Sequence, residues 1–414
     1  MIKFEKYKLD NGLTVILHQD NNTSLVAVNM LYKVGSRNEH QDHTGFAHLF
    51  EHLMFTGTNN IPDFDIPIQE AGGENNAFTN GDITNFYNLV PADNLEIALY
   101  VEADRMINLN LNEENVQVQK KVVIEEFYET CLNQPYGDVW HHLSALSYKT
   151  HHYKWPTIGL VPEHIDQINL QETKTFYKTY YRPNNAILVV SGQFETAQLK
   201  EYIDKHFGPI KGGQENNTNL EQELEQKESR LKEVNADVPF NCLMMSFPMP
   251  HRQHPDFPTY DLISDLLGNG RSSRFYERLF KAGKSFNFID AYISGTEDAG
   301  LFIIDAKLEK GVSFEEAEKT IWEEILRLVD EQVPSTELEK IINKNIASLV
   351  FSEMSVLNKA INLAYFESIG NALEINEQKE QYESITADDI QRVSKALFKK
   401  EHCNVLRYGK LNDA

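Results

Sequence analysis

The chain has 414 residues, 39 basic and 62 acidic side chains, and a formal net charge of −23, with 41% hydrophobic and 24% charged residues. That balance is ordinary for a folded domain but argues against binding nucleic acid or an anionic membrane, both of which need basic patches. Three dispersed cysteines, Cys131, Cys242 and Cys403, make neither a disulfide framework nor a CxxC zinc site, and they fit a reducing compartment. The opening MIKFEKYKLDNG lacks the apolar run of a signal peptide, and no stretch reaches the roughly 18 apolar residues of a membrane helix, so a cytoplasmic location is expected.

At roughly 100–200 residues per domain, this length suggests two to four domains. Strand patterns open the chain at Leu13 to Leu17 and Leu25 to Tyr32, separated by the polar turn Asp20-Asn21-Asn22. Helical spacing follows over Gly45 to Phe55, Asn94 to Met106 and Glu113 to about Thr130, and Ala186 to Val190 reads as a buried strand. From Lys211 to Val234 large apolar residues nearly vanish, which reads as an exposed linker and marks the domain boundary. Beyond it the order repeats: a strand (Cys242 to Phe247), a helix (Tyr260 to Leu267), a strand (Leu301 to Leu308), two amphipathic helices (Phe314 to Val329, Leu338 to Val350) and a last strand (Cys403 to Tyr408). The expected class is α+β, with mixed or antiparallel sheets packed with helices in two structurally similar domains. The expected boundaries are 1–215, a charged linker over 216–232, and 233–414.

The chemistry centres on His48-Leu49-Phe50-Glu51-His52. On a helix, histidines four apart point from one face and can reach a single ion at about 2.0–2.1 Å. Glu51 shares that face and is placed to take a proton from a water whose pKa zinc lowers to about 7. Catalytic zinc usually has a third protein ligand. The acidic helical stretch Val122 to Glu129 offers Glu125, Glu126 and Glu129, and spacing does not choose among them. Adjacent histidines such as His141-His142 and His151-His152 diverge on any regular element and read as structural or surface residues.

Further blocks accompany the motif in order: Val34-Gly35-Ser36-Arg37, Gly45 to Phe55, Gly72-Gly73-Glu74-Asn75-Asn76-Ala77-Phe78-Thr79 with Asp82, Thr84 and Tyr87, then Val122 to Glu126, Asn133 to Gly137, and Arg182-Pro183-Asn184-Asn185. Across most of residues 1–195 the sequence thus resembles the M16 inverzincin metallopeptidases, and among them the processing-peptidase-like M16B subunits. The resemblance implies that His48, His52 and Glu126 bind zinc and that Glu51 is the catalytic base. It implies that Asn76 and Ala77 lie in an edge strand that pairs with an extended peptide substrate, backbone to backbone. It also implies that a chain of this length is half of a clamshell closing around a chamber, the first domain carrying zinc and the second, homologous one carrying no metal.

Two departures from the family pattern stand out. Seven residues before the distal ligand, where many members have a second glutamate, this chain has Gln119, on the same helical face as Glu126 and suited to a supporting role. The Arg and Tyr that stabilise the tetrahedral intermediate in active members fall near Phe280 and near Asn287 or Phe288, so the pair is missing. The expectation is a zinc endopeptidase subunit completed by a homologous chain that supplies Arg and Tyr, with a homodimer as the alternative assembly. The alternative function is a non-catalytic scaffold or assembly subunit.

Overall fold

Two sheets of matching strand order organise the computed structural model, which describes residues 1–214 and 220–410. The first contains β1 (Glu5–Lys8), β2 (Thr14–Gln19), β3 (Leu25–Tyr32), β4 (Glu74–Thr79), β5 (Thr84–Pro91) and β6 (Ala186–Gly192), in the order β1-β2-β6-β3-β5-β4. Strands β2 and β6 are parallel, and every other pair is antiparallel. The second contains β7 (Arg230–Asn235), β8 (Cys242–Met249), β9 (Phe286–Ile293), β10 (Gly300–Leu308) and β11 (Asn404–Gly409), in the order β7-β11-β8-β10-β9, with β7 and β11 its parallel pair. This is the α+β class with mixed sheets that the sequence leads one to expect.

The central strands β3 and β6 are mostly apolar and, apart from Leu25, buried, because both faces of their sheet are covered. Side chains alternate across the sheet. Val15, Leu17, Val26, Val28, Met30, Leu188 and Val190 enter one core. Helices α1 (Phe46–Leu53), α2 (Asp65–Glu70), α3 (Leu95–Asn108) and α4 (Glu113–Phe127) also contribute to it through residues such as Leu49, Ile68, Leu99 and Val123. Ile16, Ala27, Leu31, Ile187 and Val189 enter a second core, against the helix Val356–Ile369 through Val356, Ala360, Leu363 and Ala364. In the other sheet, Cys242, Met244, Leu301, Ile303 and Leu406 pack against Val139, Leu143 and Leu146 of the helix Val139–Ser147.

Those two helices explain why the compact units are not consecutive stretches of chain. The first unit comprises Met1–Phe127, Trp155–Leu220 and Leu349–Gln378; the second comprises Tyr128–Lys154, Glu221–Ser348 and the chain from Lys379 onward. A single boundary in the charged stretch therefore does not describe the division, because each sheet takes a covering helix from the other half of the sequence. Of the linker expected over 216–232, residues 216–219 lie outside the described residues, and Arg230–Asn235 is strand β7. Its polar composition suits an edge strand, whose outward positions bear charge; even Leu231 is exposed there.

Candidate metal centre

Helix α1 begins where the chain turns sharply at Gly45, whose φ of 87° lies in the left-handed region. A Cβ at that position would stand 2.7 Å from the carbonyl oxygen of Ile158, so glycine alone fits there. The exposed amides of the first helical turn need an acceptor that glycine cannot supply. Glu39, almost fully buried, supplies it from a preceding loop: Oε2 accepts from the Gly45 amide at 2.9 Å and Oε1 from the Ala47 amide at 2.7 Å. Burial pushes the Glu39 carboxyl up to about 8, while the amides of Ala47 and Gly45 pull it back.

Phe46, Ala47, Leu49, Phe50 and Leu53 bury the inner face of α1, with the Phe50 ring 4.4 Å from that of Tyr181. The remaining stripe carries His48, Glu51 and His52. The two imidazole Nε2 atoms stand 3.3 Å apart. Helix α4 packs beside α1 and brings Glu126 Oε2 to 3.4 Å from His52 Nε2 and 3.8 Å from His48 Nε2. Of the three carboxylates that spacing leaves open, Glu125 and Glu129 are exposed, and Glu126 is the one that meets the imidazoles. Gln119 lies two turns earlier on α4, half-buried.

These separations suit a metal. Ligand atoms about 2.0–2.1 Å from a tetrahedral ion lie about 3.3–3.4 Å from one another, against 3.3, 3.4 and 3.8 Å here. The donor set of two imidazoles and one carboxylate is a zinc set with a fourth position left over. Among the described residues, His48, His52 and Glu126 form the group of three such side chains whose ligand atoms converge. By contrast, His142 pairs with Asp138 at 3.0 Å and His151 with Asp298 at 3.2 Å, in separate places.

The electrostatics agree with that use. Burial, reinforced by His52, pushes His48 down to about 4 against the pull of Glu126, which leaves its ring neutral and able to offer a lone pair. The hydrogen bond from His52, aided by the electrostatic pull of the two imidazoles, holds Glu126 below the usual carboxylate range despite its partial burial. Glu51 moves the opposite way, because burial outweighs the Thr79 hydrogen bond and the attraction of His52. Thr79 Oγ1 donates to Glu51 Oε2 at 2.5 Å.

Among the described residues, strand β4 pairs with β5 alone, so its other edge has no strand partner there. Asn76 is exposed and Ala77 half-buried, and the Ala77 amide donates to Asn76 Oδ1 at 2.8 Å. In the second unit, Phe280 stacks on Tyr276 with ring centroids 5.2 Å apart, while Asn287 and Phe288 sit on β9. Sequence reasoning missed the roles of Glu39 and Thr79. Thr79 had a signal, since it lies two residues past Ala77 and so shares its face; Glu39 had none, because its contacts cross a loop.

Two family models match the chain: one described as Insulinase (Peptidase family M16) over residues 14–159, and one described as Peptidase M16 inactive domain over residues 167–345. The zinc protease PqqE of Helicobacter pylori is 29% identical over 403 residues, covering 96% of this chain and 90% of that protein. The mitochondrial-processing peptidase subunit beta of Saccharomyces cerevisiae is 27% identical over 206 residues, covering 49% of this chain and 44% of that one. The crystal structure of a protease from Helicobacter pylori matches with a TM-score of 0.95 at 28% identity, covering 99% of this chain and 100% of the other.

Proposed function

The chain belongs to the M16 peptidase family, and on that premise we propose that it is the metal-bearing subunit of a zinc-dependent endopeptidase. The observation that carries this reading is the convergence of His48, His52 and Glu126 from two helices, with Glu51 on the same stripe. His48, His52 and Glu126 hold the ion. Zinc bound there supplies Lewis-acid polarisation of a water and of a peptide carbonyl. Glu51 accepts the proton from the attacking water and delivers it to the leaving amine. Its burial supports that role, because a carboxyl raised toward neutrality both takes and returns a proton more readily. Asn76 and Ala77 hold an extended peptide along the free edge of β4 by strand addition, which favours unfolded peptides over folded proteins.

Neither Phe280 nor the pair Asn287 and Phe288 offers a cationic donor and a phenol for the developing oxyanion. We therefore assign that duty to a homologous subunit, with a heterodimer preferred over a homodimer; the yeast relative is itself named as a subunit.

Cleavage of a quenched fluorescent peptide library, with zinc quantified in the same sample, tests both parts. The expected result is weak cleavage by the lone chain, strong cleavage when a copurifying homologue is added, and none with Glu51→Gln. Full activity of the lone chain would remove the heterodimer. Bound zinc with no cleavage in any mixture would favour an assembly role instead.

A further inference from the structure

We propose that Thr79 is a positioning residue for Glu51: it fixes one carboxylate oxygen so that the other is aimed at the proton to be moved, and it couples that aim to the strand that holds the peptide. This inference rests on the hydrolytic reading above. Thr79 has one hydroxyl proton and two candidate acceptors. Thr84 Oγ1 lies 3.4 Å away across the β4–β5 pair, and Glu51 Oε2 lies 2.5 Å away. Thr84 spends its own proton on the Val34 carbonyl at 2.9 Å. The short distance and the charge of the acceptor direct the Thr79 proton to Glu51, since hydrogen bonds to an ionised oxygen are shorter and roughly twice as strong as neutral ones.

The donor is held by its strand and by the turn that follows it. Thr79 is β-branched, which restricts its rotamers, and its backbone pairs with Thr84. The turn that follows is pinned to the segment ahead of α1: the Ser36 amide donates to the Asn80 carbonyl at 3.0 Å, and the Arg37 amide to the Gly81 carbonyl at 3.0 Å. An ion pair between Arg37 and Asp82 at 3.1 Å, largely shielded from water, adds to that anchor. Glu51 Oε2 therefore meets a donor fixed to the sheet rather than a mobile side chain. Oε1 remains as the proton acceptor. Because Ala77 and Thr79 share a face of β4, a peptide laid along the edge orders the same strand that aims the base.

A residue that aims the base acts on the chemical step and not on peptide or metal binding. Thr79→Val keeps the shape and removes the donor; Thr79→Ser restores the donor. General acid–base catalysis contributes about 10²–10⁴-fold, so losing the alignment of the base lowers kcat about tenfold to a hundredfold. The expected result for Thr79→Val is that loss in kcat, with KM within twofold, zinc content unchanged, and unchanged affinity of the metal-free chain for an uncleaved peptide by fluorescence anisotropy. Thr79→Ser returns kcat to within about threefold of wild type. Should Thr79→Val not fold, Thr79→Cys, a weak donor, replaces it with a loss of the same sign. A kcat within twofold of wild type for Thr79→Val, or a loss that tracks zinc or peptide affinity, or no rescue by Thr79→Ser, overturns the proposal. A wild-type chain that binds zinc but cleaves nothing, with or without its homologue, overturns the hydrolytic reading itself and the Thr79 role with it.

Discussion

Helix α1 and the helix Phe257–Leu267 occupy the same step in two sheets of matching order, each following the strand that pairs antiparallel with the parallel couple. Their polar residues are used in opposite ways. On α1, the histidines leave Nε2 atoms facing each other and a carboxylate from α4. On the second helix almost every residue is buried, and the two acids are satisfied within their own unit. Asp261 Oδ2 accepts from the Tyr382 hydroxyl at 2.5 Å, and Asp265 accepts from Asn269 at 2.6 Å and from Asn345 at 2.7 Å. The difference teaches that the scaffold confers no chemistry by itself. A metal centre needs donors that converge and have not already been spent on neighbours.

Four substitutions test that contrast. The largest effect is expected from His52→Ala, which removes one of the three side chains proposed to hold the ion. Zinc affinity should fall by more than about a hundredfold and cleavage to background, read by metal analysis and peptide turnover on one sample. Next, Glu51→Gln should keep its zinc while kcat drops about 10²–10⁴-fold, the range of a lost general base. In the second unit, Asp261→Ala should act on stability alone. Stranding the Tyr382 hydroxyl costs about 1–3 kcal/mol in denaturant unfolding, with zinc content unchanged.

The smallest effect is a slope. Glu39 has its folded pKa raised to about 8 from an ordinary 4.5, so its favourable contribution is fully present below pH 4.5 and is lost as pH rises through about 8. Thermal unfolding of the wild type should therefore weaken across that window. Glu39→Gln shifts the whole curve but flattens this part of it, and an unchanged slope would contradict the assignment.

How much of this was legible beforehand differed between local and long-range features. The stripe of His48, Glu51 and His52 follows from helical spacing alone, and the apolar runs of β3 and β6 announce strands covered on both faces. Glu126 could not be separated from Glu125 and Glu129 by spacing, because the choice depends on how α4 turns against α1. Strand β7 was hidden by charges that suit a sheet edge, and so read as linker. The helix Val356–Ile369 escaped for another reason: its partners Ile16, Ala27 and Ile187 lie far away in sequence. Thr79 and Glu39 work through hydrogen bonds between separate elements, which no periodicity records.

On the reading proposed above, α1 and α4 alone build a metal site in this chain. Titration of the metal-free chain with zinc, followed by calorimetry, tests it most directly. One tightly bound ion per chain is expected, retained by Glu51→Gln and lost in His52→Ala and in Glu126→Ala. An absence of tight binding in the wild type, or a tight site that survives both His52→Ala and Glu126→Ala, would contradict it.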